Sequence, residues 1–194
     1  MKLNIPNRLT VLRILMVPVF LVLMVAVHLQ NDTLERIVYA SVFALTCITD
    51  TLDGAIARKY NMITDFGKFL DPLADTFLNF AALLGILVKS PEFNSVFVWA
   101  AAVVMFRELA VTSLRLVVSG KGNIVVAASI LGKIKTVSQM VCILTIILEP
   151  VVFPFFKEMR PLSYVTIVVM TVMTVWSGVD YFVKFGKYIN TEKD

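Results

Sequence analysis

The sequence predicts an all-α polytopic membrane protein: six transmembrane helices with a short N-terminal interfacial helix. Three observations carry this reading. Of 194 residues, 58% are hydrophobic and only 16% charged, with a mean hydropathy of +0.83, which is far more apolar surface than one soluble domain can bury. Six apolar runs approach the roughly 20 residues that cross a bilayer as a helix. None of the six alternates polar and apolar residues as the strands of a membrane β-barrel do.

The segment from Asn4 to Arg13, with Pro6 near its start and Asn7, Thr10 and Arg13 as polar members, reads as the interfacial helix. It leads into a first span from Val11 to Leu29. Lys2, Arg8 and Arg13 ahead of an apolar stretch resemble a signal peptide, but no small-residue cleavage site follows Val27 and His28, so the span is read as retained. The remaining spans run from Ile37 to Ala57, Phe69 to Val88, Val96 to Val118, Ile130 to Leu148 and Tyr164 to Tyr181. The polar turn from Lys59 to Phe66 is short enough to make the second and third spans antiparallel neighbours. Cys47 and Cys142 fall within spans, lack metal-ligand spacing and imply no disulfide framework. With no internal repeat and no low-complexity segment, residues 1–194 read as a single membrane domain.

Basic residues orient the bundle. With the N-terminus in the cytoplasm, fourteen of the 18 lysines and arginines lie on the inner side, and only Arg36, Lys89, Lys157 and Arg160 lie outside. That asymmetry follows the positive-inside rule and places both termini in the cytoplasm. The net charge of +4, concentrated on the same side, favours anionic substrates or anionic lipid headgroups.

Four aspartates, Asp50, Asp53, Asp71 and Asp75, lie within 26 residues at the cytoplasmic ends of the second and third spans. At about 100° per residue, Asp50 and Asp53 share one helix face and Asp71 and Asp75 share another. Carboxylates crowded together repel, and hard oxygen ligands suit Mg2+ or Mn2+. A solvated helix end is the plainer account of one such acid. Asp71 and Asp75 reach a turn or more into an apolar run, however, where an unpaired carboxylate costs on the order of 2 to 3 kcal/mol at the bilayer centre and less near its edge. Gly54, Ala57 and Gly67 remove side chains beside the acids and let a bulky ligand approach the backbone, while Arg58 is a fixed cation able to pair with phosphate. Small residues also serve close helix packing in membranes, which alone would not explain the acids and the arginine.

Written out, this segment is Asp50-x2-Asp53-Gly54-x2-Ala57-Arg58-x8-Gly67-x3-Asp71-x3-Asp75. At eight fixed positions with their spacings it resembles the signature of the CDP-alcohol phosphatidyltransferases. The stretches from Asn4 to Arg13, Arg107 to Arg115 and Gly132 to Thr136 extend the likeness over nearly the whole chain. Thr76 departs from it, where relatives usually carry lysine, as do Leu109 and Ser113 in place of phenylalanine and glycine.

The resemblance implies a six-helix homodimer in the bacterial inner membrane, with a polar cavity open to the cytoplasm. It implies transfer of a phosphatidyl group from CDP-diacylglycerol to an alcohol, with release of CMP. Asp50, Asp53, Asp71 and Asp75 would hold two Mg2+ or Mn2+ ions, with Asp75 also the catalytic general base. Asn7, Thr10, Arg13, Gly54, Ala57, Arg58 and Gly67 would meet CDP-diacylglycerol.

The acceptor is read from the fourth and fifth spans. Arg107 and Arg115 are eight residues apart, about 80° around a helix, so both can point into one cavity. Lys133 and Lys135 face nearly opposite ways, and family likeness selects Lys135. Two arginines and a lysine form an anion pocket that a phosphorylated acceptor fills and a free amino acid does not. The plainer account pairs Arg107 with Glu108 or a neighbouring acid and lets Arg115 and the lysines snorkel to lipid headgroups. A pair between Arg107 and Glu108 is not expected, because adjacent helix positions do not face each other. Within the family the likeness points to glycerol 3-phosphate, ahead of inositol phosphate, serine or phosphatidylglycerol. The expected partners are CDP-diacylglycerol, glycerol 3-phosphate, membrane lipids and a second copy of the chain, with no nucleic acid. A small cation transporter would place its charges near mid-membrane, whereas these acids gather at one side.

Overall fold

The computed structural model describes residues 5–60, 65–120, 129–156 and 158–186; for residues 5–8, 50–59, 65–66, 68–69 and 119–120 it describes the backbone alone. The described residues are helical, without strand. Six helices follow in order: α1 (Ile5–Ala26), α2 (Asp32–Lys59), α3 (Asp65–Lys89), α4 (Asn94–Gly120), α5 (Ile130–Val152) and α6 (Pro161–Phe185). Short 3-10 turns at Pro91–Phe93 and Pro154–Phe156 precede α4 and follow α5.

Five of the six expected spans lie inside one helix each, and the first overruns its helix, since α1 ends at Ala26 and not at Leu29; the helices in turn run past the apolar runs by up to six residues. The apolar window marks the hydrocarbon layer, whereas backbone hydrogen bonding continues the helix into the interface. The expected interfacial segment is not set off from the first span, since Ile5–Ala26 is one continuous helix. Among the described residues five helices, α1 and α3 to α6, are long and apolar enough to cross a membrane. In α2 only 13 residues, Ile37 to Thr49, separate Arg36 from Asp50, so its charges intrude on the apolar window. Large apolar side chains exposed along the helices, among them Trp99 and Phe106 at 74%, are those of a protein whose surroundings are lipid. The chain is an integral membrane protein.

Contacts divide the chain into two compact units: Met1–Pro91 with Ile146–Lys157, and Glu92–Thr145 with Glu158–Asp194. In the first, α1 packs on both α2 and α3. Phe20 of α1 and Phe43 of α2 are wholly buried with their rings 5.9 Å apart. Gly85 lets α3 approach α1, since a Cβ there would lie 2.5 Å from Met24 Sδ. Asn31 starts α2 by accepting hydrogen bonds from the Thr33 and Leu34 N–H groups at 3.0 and 3.2 Å, as an N-cap does.

The α1–α2 turn is closed by Glu35. Its carboxylate accepts from Lys89 Nζ at 2.6 Å, Tyr39 Oη at 2.7 Å and the Leu29 N–H at 2.8 Å, so residues of α2, α3 and the turn meet on one buried acid. Burial would raise this carboxyl, but the bonds from Lys89, Tyr39 and Leu29 outweigh it and hold the pKa down at about 2.

In the second unit α4 packs on α6. Arg160, directly before α6, adopts the left-handed region at φ 41° and ψ 53°. Its buried guanidinium pairs with Glu92 and lies 5.4 Å from the Phe93 ring, and these two contacts hold the unusual turn. Cys47 lies half-buried in α2 and Cys142 fully buried in α5.

Candidate functional site

Two groups of expected site residues can be built from the structure, one in each unit. In the first, the polar residues of α1 reach the acids of α3. Thr10, only 2% exposed, donates from Oγ1 to Asp71 Oδ1 at 2.7 Å. One helical turn further along α1, Arg13 is equally buried, and its Nη1 lies 3.9 Å from Asp75 Oδ1. The two carboxylates are themselves one turn apart on α3 and remain partly open, with the Asp75 side chain 40% exposed. Gly67 is buried in the first turn of α3.

Asp50, Asp53, Gly54, Ala57 and Arg58 lie on the backbone of α2, and Asn7 on that of α1, but their side chains lie outside the described residues. Among the described residues no three metal-ligating side chains converge. Asp71 and Asp75 by themselves fit a divalent cation: they are hard oxygen donors one turn apart, partly open, each held from the α1 side by a polar partner.

The second group joins α4, α5 and α6. Arg107 Nη2 donates to Ser177 Oγ at 2.5 Å, and Nη1 donates to Glu108 Oε1 at 3.3 Å. The same Glu108 oxygen pairs with the ammonium of Lys135, a residue 2% exposed. Arg115 Nη2 donates to Tyr181 Oη. Arg107, Arg115 and Lys135, chosen from sequence as the anion pocket, are thus brought into one connected cluster. The expectation that Arg107 and Glu108 would not pair is corrected. Two long adjacent side chains bend to the same side because Lys135 of α5 draws the carboxylate inward and Arg107 follows it.

The sequence reading assigned no role to Tyr181, Ser177 or Gly178. Their signal was weak, because aromatic and small residues are common in any membrane helix. The structure puts Tyr181, 1% exposed, between the two arginines. Gly178 leaves room for the stem of Arg107, since a Cβ there would lie 3.2 Å from Arg107 Cγ. Ser129 ends the approach to α5 by accepting from the Gly132 N–H at 3.0 Å, the position an N-cap serine takes. Asp180, also without a role from sequence, pairs with Lys184 one turn on at 2.7 Å.

The family model for CDP-alcohol phosphatidyltransferase matches residues 3–176. The chain belongs to this family. Members similar to it over most of their length include a CDP-diacylglycerol–glycerol-3-phosphate 3-phosphatidyltransferase of Bacillus subtilis (strain 168), 39% identical across 97% of this chain and 98% of that protein. A probable phosphatidylglycerophosphate synthase of Mycobacterium tuberculosis (strain CDC 1551 / Oshkosh) is also 39% identical, across 92% of this chain and 79% of its own length. A CDP-diacylglycerol–glycerol-3-phosphate 3-phosphatidyltransferase of Pseudomonas fluorescens is 31% identical, across 97% and 93%.

Proposed function

We propose that this protein transfers the phosphatidyl group of CDP-diacylglycerol to glycerol 3-phosphate, forming phosphatidylglycerol phosphate and releasing CMP. The observation that carries the choice of acceptor is the basic cluster. Among the described residues, Arg107, Arg115 and Lys135 converge with one carboxylate, Glu108, and this concentration of positive charge suits a phosphomonoester. The buried Nε–H groups of Arg107 and Arg115 have no hydrogen-bond partner among the described residues, so each arginine keeps donor capacity for a ligand.

In this reading the acceptor hydroxyl attacks the β-phosphorus of the donor, the phosphatidyl–oxygen–CMP link breaks, and CMP leaves with the bonding electrons. Asp75 takes the hydroxyl proton as the new bond forms, and Arg13 holds its carboxylate in place. Asp50, Asp53, Asp71 and Asp75 would hold two Mg2+ or Mn2+ ions, which when bound neutralise the diphosphate. Thr10 fixes the orientation of Asp71 from α1. Arg58, with Asn7, Gly54, Ala57 and Gly67, would meet the CDP portion of the donor.

The reading includes α2 as a sixth span, stabilised by packing on α1 and by the pairing of Glu35 with Lys89 of α3 despite its charged ends. It places both termini and the active site on the cytoplasmic side of the bacterial inner membrane, and a second copy of the chain as partner. The deciding experiment supplies purified protein with labelled CDP-diacylglycerol, Mg2+ or Mn2+, and a panel of alcohols. CMP release with glycerol 3-phosphate alone is the expected result; release with serine, inositol phosphate or phosphatidylglycerol instead overturns it.

A further inference from the structure

We infer that Tyr181 is a positioning residue for the acceptor: its ring and hydroxyl together set the spacing of the two arginines that bind phosphate. The inference rests on the anion-pocket reading of Arg107 and Arg115. Four contacts carry it. The guanidinium of Arg115 lies 5.0 Å from the ring centroid of Tyr181 and that of Arg107 lies 5.5 Å from it, so one aromatic ring attracts both cations. Two guanidinium groups repel each other, and a shared ring holds them near one another at less cost than solvent-poor surroundings would otherwise impose. The hydroxyl oxygen then accepts from Arg115 Nη2 and from the Ser129 N–H, the latter at 3.1 Å. Arg115 is therefore tied by its head to the point where α5 begins.

The surroundings are shaped around the ring. Tyr181 stacks on Phe185 with centroids 6.0 Å apart, which fixes its plane. The Cβ position of Gly132 is 3.6 Å from both Cε2 and Oη of Tyr181, so the opening turn of α5 packs directly against the phenol. With Gly178 seating the stem of Arg107 and Ser177 Oγ accepting from its Nη2, α6 addresses Arg107 through two consecutive positions, one polar and one open, and Arg115 through Tyr181. A phosphate recognised by two forked donors demands that their separation be held, and Tyr181 touches both.

Two variants test this. Tyr181→Phe keeps the ring and removes the hydroxyl; Tyr181→Leu removes both. Tyr181→Phe should raise the KM for glycerol 3-phosphate about tenfold, the scale set by a hydrogen bond to a charged group, and weaken competitive inhibition by inorganic phosphate in parallel. Tyr181→Leu should raise that KM by about a hundredfold. In both, the KM for CDP-diacylglycerol and kcat at saturating acceptor should stay within about threefold of wild type, a split that general loosening does not give. Arg115→Ala, measured alongside, separates the two readings. If Arg115→Ala raises the acceptor KM while neither Tyr181 variant does, the inference is wrong and the pocket stands; if Arg115→Ala raises the donor KM instead, the pocket reading itself fails. Should Tyr181→Leu not fold, Tyr181→Phe decides alone, since it is nearly isosteric.

Discussion

Thr10 of α1 donates a 2.7 Å hydrogen bond to Asp71 of α3, joining residues 61 positions apart at a side chain that is almost fully buried. Together with Arg13 and Asp75 it makes the polar face of α1 the support of the acids on α3. Thr10→Val keeps the shape and deletes the donor. Loss of an outer partner of a metal-ligating carboxylate commonly costs about 10- to 100-fold in metal affinity or activity, so the variant should need about tenfold more Mn2+ for half-maximal activity. A Mn2+ titration indistinguishable from wild type would mean that Thr10 does not act through Asp71.

The Asp75 side chain is 40% exposed, and Arg13 beside it gives a reason for its orientation. Asp75→Asn removes the proton acceptor while keeping size and hydrogen-bonding capacity. Turnover should vanish, whereas equilibrium binding of CDP-diacylglycerol should remain measurable. Turnover near the wild-type rate would remove Asp75 from the role of base.

Glu108 is shared between Lys135 and Arg107, and Lys135 is nearly sealed from solvent. Removing one partner of a buried ion pair weakens what compensates the other charge, whereas replacing both by apolar groups of like size is often neutral. Glu108→Gln should therefore lower the melting temperature in detergent. The double variant Glu108→Gln/Lys135→Met should recover most of that loss without recovering the acceptor KM. A double variant as unstable as the single one would show that the pair is not what Glu108 supports.

Much of this was readable in the sequence, for reasons that differ by residue. Apolar runs near 20 residues have few alternatives in a bilayer, so the helices were legible, and the spacing of Asp71 and Asp75 placed them on one face whatever their surroundings. The convergence of Arg107 and Arg115 followed from their eight-residue interval on α4 in the same way. Three things were not legible. The shared role of Glu108 depends on Lys135, 27 residues away on another helix, and no rule of helical spacing reaches across helices. Tyr181 and Gly178 matter through what they touch, and an aromatic and a glycine in an apolar helix carry no signal of that. The closure of the α1–α2 turn by Glu35 and Lys89 rests on a pair 54 residues apart that the charge count had only placed on the outer side.

That closure has a pH signature. Glu35 precedes the apolar stretch of α2, and its pKa of about 2 lies below the ordinary 4.5. A folded-state pKa below the unfolded value means the unfolded chain takes up the proton first as pH falls. The stabilisation by Lys89, Tyr39 and the Leu29 N–H is thus fully present above about pH 4.5 and is lost progressively as pH drops toward about 2. Glu35→Gln cannot lose it in that window because it lacks the titrating group, though it should be less stable at neutral pH for want of the Lys89 pair. Thermal unfolding in detergent between pH 5 and pH 2.5, about the interval those two values span, should therefore show the wild-type melting temperature falling toward that of the variant. Parallel curves, separated by a constant gap across the interval, would show that Glu35 is not held ionised by its three partners.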